Sequence, residues 1–270
     1  MNNVTDTLKQ LGFRAHAEQL SALLTHATKN RLSPTQTLEQ LVALERGERD
    51  ARNLAARTKM ATLGSIKPLD RFDWNHPRSI DRAAYEELLS LGFVRKKRNV
   101  LFRGQSGVGK TTLAQNLGLR ALEQGMTVCF TTVGAALADL LKRESLPAVE
   151  RRMRKYTSVD LLICDELGYL PFDSRSADLL FNIISRRHER ASTIITTNLP
   201  FKEWATVFPG AACVVALVDR FTQHCHVMDI DADSGRQISV PPTSSPAANT
   251  KAKVTRTSKK NSSRARNASS

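Results

Sequence analysis

With 270 residues, 41% of them hydrophobic and 24% charged, the chain can bury one substantial core with smaller attachments, and its composition is that of a globular fold rather than a disordered or membrane-spanning one. The formal net charge of +14 favours polyanionic partners, nucleic acid before anionic membrane, and residues 241–270 carry half of it, holding seven Lys or Arg and no Asp or Glu. No apolar run approaches the length of a membrane span, and polar residues stand at the N-terminus where a signal peptide needs an apolar core.

In chain order, residues 4–29 place Val4, Leu8, Leu11, Ala15, Leu20, Leu23, Leu24 and Ala27 at helical spacing with a break near Gly12. Ser33-Pro34-Thr35-Gln36 is a helix start, with Ser33 able to cap, Pro34 suited to the first helical position and Gln36 able to reach back. Leu38, Leu41, Val42 and Glu45 continue into the charged stretch 46–59. These residues predict a helical N-terminal module, residues 1–68, whose role is either packing alone or contact with DNA or a partner. Leu69–Trp74 reads as an irregular connection whose aromatics pack onto the segments C-terminal to it, and Ser79 or Asp81 opens a helix that closes near Gly92.

An α/β alternation then runs through residues 69–240. Strands are predicted at 99–102, 127–131, 160–164, 193–197 and 226–230, with helices at 110–123, around 137–141, at 174–190 and in the region 201–220. Short apolar strands separated by helices of this length predict a parallel sheet covered on both faces. The stretch Lys142–Lys155, with Arg143, Arg151, Arg152 and Arg154, is polar and basic. From Pro241 onward large apolar residues are nearly absent, which predicts a disordered basic tail over 241–270 that adds salt-sensitive attraction to phosphates.

The chemistry centres on Gly104-Gln105-Ser106-Gly107-Val108-Gly109-Lys110-Thr111, a G-x-x-x-x-G-K-[ST] loop set between a strand and a helix, with Thr112 next in the first helical turn. Its glycines let backbone N–H groups form an anion nest, and the helix N-terminus adds positive potential. Lys110 would reach the β- and γ-phosphates, and Thr111 would place its hydroxyl on Mg²⁺. The strand Leu161-Leu162-Ile163-Cys164 delivers Asp165 and Glu166 at its C-terminal end; Asp165 would hold Mg²⁺ and Glu166 would polarise an attacking water. A base at that position suits hydrolysis better than phosphate transfer to a small acceptor, which counts against a P-loop kinase. Asn198, ending the strand 194–197, can hydrogen-bond the water or the γ-phosphate.

The four cysteines, Cys129, Cys164, Cys213 and Cys225, form no C-x-x-C pair, and two of them fall in apolar strands, which suits a reducing compartment and a cytoplasmic location. His224-Cys225-His226 is a weak metal signal, because neighbours on a strand point to opposite faces.

Gly104–Thr111, the run from Leu161 through Asp165-Glu166-Leu167-Gly168-Tyr169-Leu170-Pro171, Ile194–Pro200 and Leu217-Val218-Asp219-Arg220 together resemble the IstB-like ATPases, AAA+ proteins of bacterial insertion sequences related to DnaC-type helicase loaders. The resemblance spans about residues 5–238. It implies an AAA+ fold using ATP and Mg²⁺, and a homo-oligomer with ATP at subunit interfaces that binds and deforms duplex DNA and stimulates an IstA-like transposase. It also implies that Arg220 acts as an arginine finger on the ATP of a neighbouring subunit, and that the basic stretch 142–155 faces DNA, which otherwise reads equally well as a solvated helix. The rival within the resemblance is a DnaC-like helicase loader, which would prefer single strands and a hexameric helicase. Gln105-Ser106 stands where many relatives have Pro-Pro, and Ser234-Gly235-Arg236 has glycine where they often carry an aromatic, leaving a role for Arg236 open.

Overall fold

The computed structural model describes residues 2–75, 79–169, 172–208 and 212–231. The expected tail 241–270, Arg236, and Leu170-Pro171 lie outside the described residues.

Three helices open the chain: α1 (Asn2–Gln10), α2 (Ala17–Lys29) and α3 (Pro34–Ala61). The start of α3 is the capping box read from Ser33 and Gln36: Gln36 N donates to Ser33 Oγ at 3.2 Å, and Ser33 N donates to Gln36 Oε1 at 2.9 Å. Glu45, buried on α3, accepts the N–H groups of Arg14 and Ala15 at 2.7 and 3.1 Å and pairs with Arg49 Nε at 2.6 Å, tying the turn between α1 and α2 to α3. Burial pushes its carboxyl upward, but the Arg49 hydrogen bond and the two amides outweigh that and hold it below the usual glutamate value.

The end of α3 turns onto the sheet. Ala61 and Leu63 are buried in the core, Thr62 Oγ1 donates to Phe130 O at 2.6 Å, and Gln115 Nε2 and Asn116 Nδ2 donate to the carbonyls of Leu63 and Lys67. A 3₁₀ turn at Leu69–Arg71 comes next. Phe72, Trp74, Tyr85 and Phe102 then form a chain of aromatic contacts, with ring centroids 4.8, 5.6 and 6.3 Å apart, so the aromatics of the irregular connection do pack onto the segments C-terminal to it. Helix α4 (Arg82–Leu89) is capped by Asp81, which accepts from Ala84 N at 2.8 Å; Ser79 instead bridges to Asp231.

After the short α5 (Gly92–Arg95) come β1 (Asn99–Gly104), α6 (Lys110–Glu123), β2 (Val128–Thr132), α7 (Val133–Leu141) and α8 (Leu146–Thr157). The chain continues through β3 (Leu161–Leu167), α9 (Ser174–Arg187), β4 (Ser192–Thr197), α10 (Trp204–Val207), α11 (Val214–Thr222) and β5 (Cys225–Ile230). The five strands are all parallel, in the order β2-β3-β4-β1-β5. Helices α4 and α6 cover one face and α7 through α11 the other, each over its own apolar core. The basic stretch 142–155, read as polar, is largely a helix: Ser145 caps α8, which buries Met153 and Tyr156. The expected helix 174–190 ends at Arg187, whose fully buried guanidinium bonds the carbonyls of Tyr156, Val159, Asp160 and Ser192 and so staples α8 and α9 to the segment leading into β3 and to the first residue of β4. Burial draws Arg187 down to about 10, still charged at neutral pH. Among the described residues no helix is long and apolar enough to cross a membrane.

Candidate nucleotide site

The strands being parallel, their C-terminal ends share one rim, and there the chain leaves β1 into the loop from Gly104 to Gly109. Gly107 and Gly109 have φ of 87° and 94°, a left-handed backbone natural only to glycine. Gly109 is held for a second reason: a Cβ there would lie 2.4 Å from Cε2 of Phe72, whose ring covers the loop's end. Val108 is buried and anchors the loop in the core, while Gln105 is exposed and Ser106 half-buried. Lys110, the first residue of α6, directs its ammonium back under the loop, donating to Gly104 O at 2.8 Å and Gln105 O at 2.6 Å. Thr112, in the same first turn, accepts from Asn116 Nδ2 at 2.8 Å through its carbonyl.

Thr111 faces β3. Its hydroxyl lies 3.0 and 2.9 Å from the two carboxylate oxygens of Asp165, which is buried at the strand's end. Thr196 on β4 also donates to Asp165, and its oxygen accepts the Glu166 N–H at 3.0 Å. The side chain of Glu166 is exposed on the rim. One turn further, Gly168 (φ 99°) packs so closely on the end of β4 that an added Cβ would come within 2.6 Å of Leu199 Cδ1 and 3.2 Å of Asn198 Oδ1. The Tyr169 hydroxyl donates to Ser106 Oγ at 3.2 Å, bridging the segment after β3 to the phosphate loop.

The structure therefore brings Gly104 through Thr112, Asp165, Glu166 and Asn198 to one rim. Arg220 is placed elsewhere. Its guanidinium donates to Ser185 Oγ and stacks 4.9 Å from the centroid of Phe181, and its carbonyl is 3.1 Å from His188 Nδ1. Phe221 O accepts from Asn99, the first residue of β1. These contacts put Arg220 at the N-terminal ends of the strands, about one strand length, roughly 20 Å, from the phosphate loop of its own chain.

Of the basic residues between β2 and β3, Arg143 and Arg152 are committed internally. Both bond the carboxylate of Asp139, at 3.0 and 2.6 Å, and Tyr156 donates to it at 2.6 Å. Lys155 stacks over Tyr156 at 5.1 Å, which leaves Arg151 and Arg154 exposed on the outer side of α8.

Two features of the site are not legible in the sequence alone. Phe72 belongs to an irregular segment whose partner is not evident there, although an aromatic in such a segment is a signal. Thr196 reads only as strand: β4 is Ser192-Thr193-Ile194-Ile195-Thr196-Thr197, and with four hydroxyls among its six buried residues the sequence does not single out this one. Burial pushes the Cys164 thiol up to about 12 and raises that of Cys129, so both stay protonated at neutral pH.

A model of the IstB-like ATP-binding protein family matches residues 6–239. The ATP-binding protein of insertion sequence IS5376 from Geobacillus stearothermophilus is 33% identical over 82% of this chain and 88% of its own length. That of IS21 from Pseudomonas aeruginosa is 33% identical over 87% and 89%, and that of IS232 from Bacillus thuringiensis subsp. berliner is 34% identical over 86% and 93%. Among solved structures, DnaI matches with a TM-score of 0.51 at 18% identity, over 64% of this chain and 90% of DnaI. A DNA replication initiation factor matches at 0.50 and 22%, over 63% and 52%. These likenesses carry the fold, that of P-loop AAA+ proteins. With the family model covering nearly the whole described chain and relatives a third identical over most of their length, this protein belongs to the IstB-like ATP-binding family.

Proposed function

We propose that the chain is an ATP-hydrolysing, DNA-binding AAA+ protein that oligomerises on duplex DNA, remodels it and so stimulates an IstA-like transposase. The observation that carries the reading is the meeting of Thr111 with Asp165 at 2.9 Å while Glu166, the next residue, stays exposed on the same rim. A buried carboxylate and a hydroxyl in contact are a hard-oxygen donor set that fits Mg²⁺, which keeps several waters and takes few protein oxygens. Thr111 and Asp165 would hold the ion, and the ion would supply charge neutralisation at the β- and γ-phosphates. The chain's own groups do the rest. The backbone amides from Gly104 to Lys110 and the Lys110 ammonium bind the phosphates. Glu166 accepts the proton of the attacking water, and Asn198 orients that water or the γ-phosphate. Arg220 completes the site of a neighbouring copy, since its own phosphate loop is at the far end of the sheet. Its charge would stabilise the transferring phosphoryl group.

Sequence supports the DNA-binding part through the net charge of +14, and exposed Arg151 and Arg154 on α8 are the candidate phosphate contacts. Base recognition is not part of the proposal, so binding should depend on salt and on DNA deformability.

The Glu166→Gln variant tests the whole reading. It should bind ATP like the parent, lose turnover by about a hundredfold or more, and accumulate as an oligomer on duplex DNA in sedimentation and gel-shift assays. Parental turnover in this variant would remove Glu166 as the base. A preference for single strands over duplex would favour the loader alternative.

A further inference from the structure

Consecutive residues of a regular strand point to opposite faces, so an undisturbed β3 would send Asp165 toward α6 and Glu166 toward α9. Up to Cys164 the strand obeys: Leu161 and Ile163 join the core under α6, and Leu162 and Cys164 join the core under α9. The next residue in the α9-side core is Leu167, not Glu166. A spacing of three where two is regular means that one extra residue has been inserted, and the register agrees. Cys164 stands opposite Ile195 and Leu167 opposite Thr197, so Asp165 and Glu166 together face Thr196. This is a bulge, and Glu166 takes its left-handed position with φ 63°, which for a non-glycine residue needs support from its surroundings.

One side chain provides that support. A bulge removes an N–H from the ladder, and here the Glu166 N–H goes to the Thr196 hydroxyl oxygen at 3.0 Å. The same hydroxyl spends its only proton on Asp165 Oδ1. Thr196 is buried, 1% exposed, on the α6 side of β4, and Asp165 receives Thr111 from α6 as well. The hydroxyl thus fixes the backbone of one carboxylate and the side chain of the other.

We infer that Thr196 is a positioning residue for the hydrolysis proposed above, setting the exposed carboxylate of Glu166 and the buried carboxylate of Asp165 in their separate places relative to Thr111. The inference rests on that proposal for its consequence in turnover. Its geometric core, the hydroxyl that holds the bulge, can be tested without turnover.

The experiment compares the full chain with Thr196→Val, which keeps the branched shape and removes the hydroxyl, and with Thr196→Ser, which keeps the hydroxyl. Three quantities are read: ATP turnover with duplex DNA, the Mg²⁺ concentration that half-saturates binding of a fluorescent ATP analogue, and deuterium exchange in the peptide containing the Glu166 amide. Thr196→Val should lower turnover about tenfold or more at saturating ATP, raise the half-saturating Mg²⁺ about threefold or more, and speed exchange at that amide, while Thr196→Ser stays near the parent. A purely space-filling threonine would leave the Mg²⁺ requirement and the exchange unchanged, and that result overturns the inference. If Thr196→Val does not fold, Thr196→Ala against Thr196→Ser isolates the hydroxyl with the same three readings. If the parent itself does not turn over ATP and Glu166→Gln changes nothing, the hydrolysis reading fails. Exchange and Mg²⁺ dependence then still decide the role of Thr196.

Discussion

Asp139 illustrates how a single carboxylate redirects a basic segment. Three donors converge on it, from Arg143, Arg152 and Tyr156, and two of them come from the basic stretch that the family resemblance implies faces DNA. Burial pushes this carboxyl upward, but the hydrogen bonds from Arg152, Tyr156 and Arg143 outweigh burial and hold it well below the usual carboxylate range. A depressed folded value contributes stability that is present above the unfolded value, about 3.9, and is lost as pH falls below it. Asp139→Asn should therefore destabilise the chain by about 1–2 kcal/mol at pH 7, allowing for the screening of two part-exposed guanidiniums. In urea titrations the gap between parent and variant should begin to narrow near pH 5 and keep narrowing as pH falls through the carboxyl's depressed folded value. A gap that stays constant with pH would mean that the carboxylate's charge is not what matters. At this scale the sequence was legible where chemistry dictates residue type. Lys110, Thr111, Asp165 and Glu166 are named by what phosphate and metal require. Asp139 and Thr196 were not, because their importance lies in partners 13 and 31 residues away that only the packing brings near.

At the scale of elements, the strands were readable because runs such as Leu161–Cys164 and Val100–Phe102 are apolar on both faces, as a sheet covered on both sides requires. Their ends were less so. The sequence places the end of the third strand at Cys164, whereas β3 continues to Leu167 through the bulge, since the Asp165 carboxylate is buried and bonded within the rim and the Glu166 N–H is taken up by Thr196. Helix α8 was obscured in a similar way: its charge masked the burial of Met153 and Tyr156. The end of β3 is then pinned to the end of β4 by the close approach at Gly168. Gly168→Ala would force a Cβ to within 2.6 Å of Leu199 Cδ1 on a backbone with φ 99°. It should cost about 1–3 kcal/mol of stability in a thermal or urea melt. Turnover should fall as well, because the added Cβ would also stand 3.2 Å from Asn198 Oδ1 and press on that amide directly. A variant as stable and as active as the parent would mean that the two strand ends are not coupled through this contact.

For the whole molecule the decisive fact is the separation of Arg220 from the phosphate loop. The order β2-β3-β4-β1-β5 puts β1 between β4 and β5, with all C-terminal ends on one rim. Helix α11 runs away from that rim and ends where β5 begins, so its last turn sits at the base, fastened to the end of α9 through Ser185, Phe181 and His188. Packing of this kind holds the guanidinium at the base of the sheet, away from its own loop. If Arg220 serves ATP hydrolysis, it serves that of another copy, and the separation gives the proposed oligomer a direct test. Lys110→Ala removes phosphate binding and keeps Arg220, while Arg220→Ala does the reverse, and each alone should be nearly inactive, Arg220→Ala by about a thousandfold or more. Mixed in equal amounts and allowed to exchange subunits on duplex DNA with ATP, they should recover activity. An intact loop meets an intact Arg220 at about a quarter of randomly formed head-to-tail interfaces, so turnover should return to about a quarter of the parent's. Mixtures that stay as inactive as their components would place Arg220 outside the reaction and reduce it to the surface contact with Ser185 and Phe181. Recovery would locate ATP between two copies, where its γ-phosphate can hold the assembly together on DNA and its hydrolysis can release it.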